Sequence, residues 1–273
     1  MDRNVIYVGL DVDDTQYHGS ALNKETGEVI SFQCRPTLSG LLKQLAKLDQ
    51  VFPDSTLSLC YEASYIGYTL QRDLAKHGYH CDVVAPSSIP SPRGKQIKTD
   101  RIDAAQLAQF YANGLLTIVA IPEPEQEHDR DLVRSRKKLV DQRKELRTHI
   151  LSLLRRNGRH FQQETPNKAN WTMPHQYWLE KVVTTSSGSF AVNLSLLVRQ
   201  LKAVNGILTE YAQEIHAMAK TERYERSVQA LTCYKGIKNL FALTMITEIG
   251  DIKRFPHPRQ LMSWVGMDIR EYS

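Results

Sequence analysis

No stretch of the 273-residue chain reaches the roughly 18 uncharged apolar residues that a membrane-crossing helix requires, so no membrane span is expected. The opening run, MDRNVIYVGLDV, is short, strand-like and interrupted by Asp11, which is not the pattern of a secretory signal. Cysteine is scarce and scattered. Cys34, Cys60, Cys81 and Cys233 offer no paired spacing for zinc and no disulfide framework, and reduced thiols in a cytoplasmic protein are expected. Histidines form no ligand cluster either, since His77 and His80 flank a turn expected at the surface. A Gly-rich nucleotide loop is also missing. GLDVDDTQYHGSAL (Gly9–Leu22) loosely matches the first strand and turn of a sugar kinase or actin-like ATPase, but DVDDT has no Gly to let the backbone approach a phosphate.

Positive charge is present, and it is patchy. The net charge is +5, with basic residues crowded into Arg130–Arg159 and again at Lys253, Arg254, Arg259 and Arg270. That distribution suits a polyanionic partner as well as a merely solvated helix face.

Three short β-rich stretches open the chain: Val5–Val12, Tyr17–Asn23 and Glu28–Cys34, with a polar Gly-containing turn between the second and third. A leucine stripe over Thr37–Leu48 predicts a helix, Ser55–Ala63 a strand, Ile66–Gly78 a helix and His80–Ala85 a further strand. A Pro- and Ser-containing loop over Pro86–Gln96 then leads to a helix from about Thr99 to Ala112. The order β-β-β-α-β-α-β-α implies an α/β fold with a mixed sheet, and the ribonuclease H-like (RuvC-like) layout is the leading match.

Pro122–Glu127 reads as a linker. Beyond it, Leu132, Leu139, Leu146 and Leu153 recur at a seven-residue spacing, which predicts a long basic helix or coiled coil over Asp129–Arg156. Gln162–Gly188 has no clear assignment, and a helix over Val192–Met218 is expected to fold back on the basic helix. Around Lys235–Gly236 a turn enters another helix, which Gly250 ends. This pairing resembles a helix-hairpin-helix binder of nucleic-acid backbone, and equally a small helical subdomain. The expected domains are therefore 1–121, catalytic; 122–190, linker and long basic helix; and 191–273, a helical C-terminal domain.

Four carboxylates fall at telling places. Asp11 lies near the end of the first strand, Glu62 ends the fourth, and Asp100 and Asp103 open the helix after the fifth. Each alone has an ordinary reading: Asp100 as a helix N-cap, Asp103 as a favourable first-turn charge, Asp11 as a loop residue. Together at one place they would repel unless cations neutralise them, and Mg2+ (or Mn2+) prefers carboxylate oxygens, water and phosphates. Two such ions about 4 Å apart can activate a nucleophile and stabilise a leaving oxygen at a phosphodiester.

YVGLDV, YEAS, KTDRIDA and GIKNLFALTMITEIGDIKRFPHPRQLMSWVGM, in that order, resemble the DEDD-plus-serine transposases of bacterial insertion sequences (the IS one-hundred-ten type) over essentially the whole chain. The resemblance implies a recombinase acting on double-stranded DNA, guided by a structured non-coding RNA and working as a homo-oligomer of two or four chains. It carries the acidic quartet onto Asp11, Glu62, Asp100 and Asp103. It also implies a C-terminal serine nucleophile just after the segment matching VGMDIREYS, so Ser273 is that nucleophile or its immediate neighbour. The family continues there with a run rich in Gly, Lys and Arg, and a C-terminally truncated chain is expected. Nucleic-acid contacts are expected at Arg93, Lys95, Lys98, Arg101, Lys137, Arg143, Lys235 and Lys238. Two alternatives stand beside the recombinase: a RuvC-like nuclease using metal-activated water, and an inactive nucleic-acid-binding remnant.

Overall fold

A computed structural model describes residues 4–89, 100–166 and 169–267. The chain divides into two compact units, residues 1–121 and 122–273.

The first unit is built on one five-stranded sheet. β1 (Asn4–Val12), β2 (Tyr17–Asn23) and β3 (Val29–Cys34) form an antiparallel meander. Helix α1 (Leu38–Val51) then crosses to β4 (Ser55–Glu62), and α2 (Thr69–Lys76) leads to β5 (His80–Val84). The spatial order is β3-β2-β1-β4-β5, with β1, β4 and β5 mutually parallel. The mixed sheet expected from the sequence is therefore present. Thr37 caps α1, its hydroxyl accepting the Gly40 N–H at 3.1 Å, which sets the entry that the leucine stripe needs.

The strand period of two assigns the faces. Ile6, Val8 and Leu10 alternate onto one side, where they are buried with Leu41 and Leu45 of α1 and Leu70 and Leu74 of α2. The other side carries Tyr7 and Gly9 of β1 with Cys60 of β4, and helix α3 (Asp100–Ala112) covers it. Tyr111 of α3 meets Tyr7 edge to face at 5.6 Å and donates a 2.6 Å hydrogen bond to Asp82 of β5. Lys24 closes the far end of α3, its ammonium donating to the Ala112 carbonyl at 2.7 Å, where a cation complements the helix dipole.

The second unit is helical among the described residues. Its long helix α4 runs Pro124–Arg156, so the stretch expected as a linker over Pro122–Glu127 is already helical from Pro124. Proline is well tolerated in a first turn, and it starts this helix rather than separating two elements. Short α5 (Phe161–Glu164) and α6 (Met173–Thr185) occupy the segment that the sequence left unassigned. Helix α7 (Gly188–Met218) packs back along α4 and runs across residue 190. α8 (Glu225–Thr232) and α9 (Asn239–Ile249) follow, and after Gly250, in the left-handed region, α10 spans Pro258–Trp264. The seven-residue leucine row serves two separate cores. Leu146 and Leu153 pack with α6 and α7, while Leu132 packs with Ile215, Val228 and Leu243.

His175 of α6 is wholly buried against the rings of Phe161, Trp171 and Trp178, and neither ring nitrogen has a hydrogen-bond partner among the described residues. Burial pushes its pKa down to about 4 from an ordinary 6.5. A folded-state value below the unfolded one means the unfolded chain binds more protons. Stability from this site is thus complete above about pH 6.5 and is lost as pH falls through 4, by about 3 kcal/mol in all. His175→Phe should flatten that part of the acid limb, measured as urea midpoints at pH 7 and pH 4.5 beside wild type. An unchanged difference between the two pH values would show that the imidazole is not held neutral.

Candidate active site

The sheet brings the first two acids together by register. β1 and β4 pair in parallel through Gly9–Cys60 and Leu10–Tyr61, so Asp11 and Glu62 are the next residues on adjacent strands. Both sit at the C-terminal strand ends, on the face that α3 covers, and neighbouring strands lie about 4.8 Å apart. Asp11 is half-buried and Glu62 exposed.

The third acid arrives by close packing. At Gly9 the backbone of α3 comes so near β1 that an added Cβ would stand 2.4 Å from both the Ala104 carbonyl oxygen and the Ala108 amide nitrogen. Tyr111 reaches Tyr7 on one side of this crossing, so the helix runs antiparallel to β1 and its N-terminal turn lies toward Asp11. Asp103, beside Ala104, is half-buried there. Asp100 is the first residue of α3, and its side chain lies outside the described residues.

Among the described side chains, no group of three or more His, Cys, Asp or Glu closes around a common point as a metal cluster. The chemistry of the donors still suits a hard divalent ion, because every acid at this sheet end is a carboxylate. The Cys60 thiol on the same face is buried, its pKa pushed far up by desolvation, so it stays protonated, while His18 of β2 stands opposite Asp11 in the antiparallel ladder.

Tyr65 escaped the sequence reading, although it follows Glu62 by three residues in YEASY. It is 67% exposed, and its hydroxyl accepts the Asp14 N–H at 3.0 Å across the β1–β2 turn. Desolvation, and then the fields of Asp13, Asp14 and Asp11, raise its pKa, so it remains a phenol beside the acids. In the same turn Asp13 accepts from the Thr15 N–H at 2.8 Å and the Thr15 hydroxyl at 2.7 Å, and these two bonds hold its carboxyl below the usual range. The amides that a kinase-type turn would offer a phosphate are thus already engaged, by Tyr65 and by Asp13.

Of the basic residues expected to contact nucleic acid, Lys137 is exposed and paired with Asp141 at 2.5 Å, and Arg143 is half-buried on α4. Lys235 and Lys238 are exposed on the α8–α9 turn, where Gly236 takes φ 94°. Arg93, Lys95, Lys98 and the Arg101 side chain lie outside the described residues, as does Ser273.

A family profile for DEDD transposases of the IS110 type matches residues 8–157, a span that includes all four acids. A second, described as Transposase IS116/IS110/IS902 family, matches residues 228–273. The chain belongs to the IS110-type transposases. Among its relatives, a putative transposase of Sinorhizobium fredii is 34% identical over 227 residues, covering 83% of this chain and 52% of the relative. The transposase for insertion sequence element IS1533 of Leptospira borgpetersenii is 27% identical over 266 residues, covering 94% of this chain and 73% of the relative. That for IS1111A of Coxiella burnetii is 26% identical over 207 residues, covering 72% and 52%. This IS110-type transposase chain therefore spans about half the length of the first and third of these relatives. No helix among its described residues is long and apolar enough to cross a membrane.

Proposed function

We propose that the chain is a DNA transposase acting at an insertion-sequence element, with residues 1–121 as a ribonuclease H-like (RuvC-like) catalytic domain. The observation that carries this reading is the meeting of strand ends and helix start: Asp11 abreast of Glu62, with Asp103 approaching over Gly9, in a member of a DEDD family. The β3-β2-β1-β4-β5 order supports the fold assignment.

On this reading Asp11, Glu62, Asp100 and Asp103 hold Mg2+ or Mn2+. Such an ion, when bound, supplies a Lewis acid that draws charge from phosphodiester oxygens. The chain's own contribution is preorganisation. The β1–β4 ladder sets two carboxylates abreast, and the α3 crossing directs the third toward them, which shortens the rearrangement that a bound ion would require. The nucleophile is Ser273 or a serine beside it. Its Oγ bonds to phosphorus, the ester bond to one DNA oxygen breaks, and the released hydroxyl takes up the proton that the serine gives away. The partners are double-stranded DNA, a structured guide RNA and further copies of the chain, in the cytoplasm. Basic side chains from Arg93 to Arg101, with Lys137, Arg143, Lys235 and Lys238, meet the phosphate backbone.

Covalent capture tests the serine. Wild-type chain, extended to the length of its relatives, should leave a protein–DNA adduct that survives denaturing electrophoresis. Ser273→Ala, together with any adjoining serine changed to alanine, should abolish it. Metal-dependent cutting with no adduct in wild type would replace the serine mechanism with activated water. Salt-sensitive binding without any cutting would reduce the chain to a nucleic-acid binder.

A further inference from the structure

We propose that a cavity walled by α4, α7, the end of α8 and the start of α9 is a seat for one phosphodiester of a DNA duplex. The inference rests on the reading of the chain as DNA-binding and gives that binding a second location, remote in sequence from the acids. The cavity has a volume of about 460 Å³ and takes its polar lining from four helices: Arg136 of α4, His216 of α7, Thr232 at the end of α8, and Lys238 and Asn239 at the entry to α9. No carboxylate is among its lining residues.

Several donors there are unspent. The Arg136 guanidinium belongs to the cavity lining, and its Nε, buried, has no hydrogen-bond partner among the described residues. Lys238 is the N-cap of α9 but gives it no side-chain cap, so the first backbone N–H groups of this 11-residue helix remain open to an acceptor. Asn239 lies 3.3 Å from the Nδ1 of His216. With the amide donating there, the imidazole carries its proton on Nε2 and offers a further donor. Ile215 and Leu240 form an apolar wall behind these groups. The room exceeds what a lone phosphate needs and suits a phosphodiester with its sugars. Lys235, exposed on the adjoining turn, extends the positive surface toward the next backbone unit.

Full-length chain should be titrated with a labelled DNA duplex across a salt series. Arg136→Gln and Lys238→Gln should each weaken binding about tenfold and lower the slope of log K against log salt by about one. Because both side chains grip the same phosphate, the double variant should fall clearly short of the product of the two single losses. Arg136→Lys should retain the slope while losing part of the affinity, and melting curves identify any variant that has not folded. Lys202→Gln, an exposed α7 lysine paired with Glu180, should change neither quantity beyond error. Wild-type affinity and slope in both single variants, or fully multiplicative losses in the double, would overturn the seat while leaving DNA binding intact. Loss on an RNA duplex with DNA unaffected would overturn its assignment to DNA. A wild-type chain that does not bind duplex DNA at all would remove the underlying reading and the seat with it.

Discussion

Asp11→Asn is expected to lower DNA strand cleavage by about three orders of magnitude while the protein still folds and still binds duplex. The side chain keeps its size and one carbonyl oxygen but loses its charge, and on the proposed reading that charge helps to hold a divalent ion. A thousandfold loss corresponds to about 4 kcal/mol of barrier, in line with the several kcal/mol that a bound metal contributes at a phosphoryl centre. DNA affinity should hold or rise, because a negative charge has left the surface that meets a polyanion. The check is an initial cleavage rate in Mg2+ for both proteins, alongside melting curves and duplex titrations. The expectation does not depend on whether serine or water attacks phosphorus, since both proposed routes use the same acids. A variant that cuts within tenfold of wild type, with its fold intact, would show that Asp11 stands outside the reacting centre.

Much of this arrangement was legible in the primary structure, for physical reasons that differ by element. The mixed sheet followed from hairpin-linked strands giving way to strand–helix alternation, and alternation is a strong local signal. Asp11 and Glu62 were legible as acids at two strand ends, but the register that sets them abreast is a property of the ladder and becomes visible only with Leu10 facing Tyr61. The helix beginning before Asp129 was hidden because Pro124, Glu125 and Gln126 resemble a linker in composition, whereas proline in a first turn is equally a helix start. Tyr65 was missed because an exposed aromatic gives no periodic signal. Its role at the turn rests on a contact 51 residues away in sequence, to Asp14. The cavity lined by Arg136, His216 and Lys238 was beyond reach for the same reason, being assembled from four helices whose charges look like ordinary solvated faces.

Gly9→Ala is expected to be the most damaging single-methyl change in the first unit. The new Cβ would meet the Ala104 carbonyl oxygen and the Ala108 amide nitrogen at 2.4 Å, and both are backbone atoms that no rotamer change can move aside. Relief requires α3 to lift from β1 by about 1 Å, toward ordinary carbon contact distance. Lifting opens the packing around Leu107 and Tyr111, and the cost should be about 3 kcal/mol, read as a lowered denaturant midpoint at constant slope. Gly9→Val should cost more, about 4 kcal/mol or enough to prevent folding. The same displacement carries Asp103 away from Asp11, and an error of about 1 Å in a reacting constellation is worth roughly a hundredfold in rate. Cleavage by folded Gly9→Ala should therefore drop even where the protein is fully native. Gly206→Ala supplies the contrast. An added Cβ there has open space within the long helix α7, and the change should stabilise the chain by about 0.5–1 kcal/mol. If Gly9→Ala instead matched wild type in midpoint and rate, the close crossing of α3 over β1 would not be what positions the third acid.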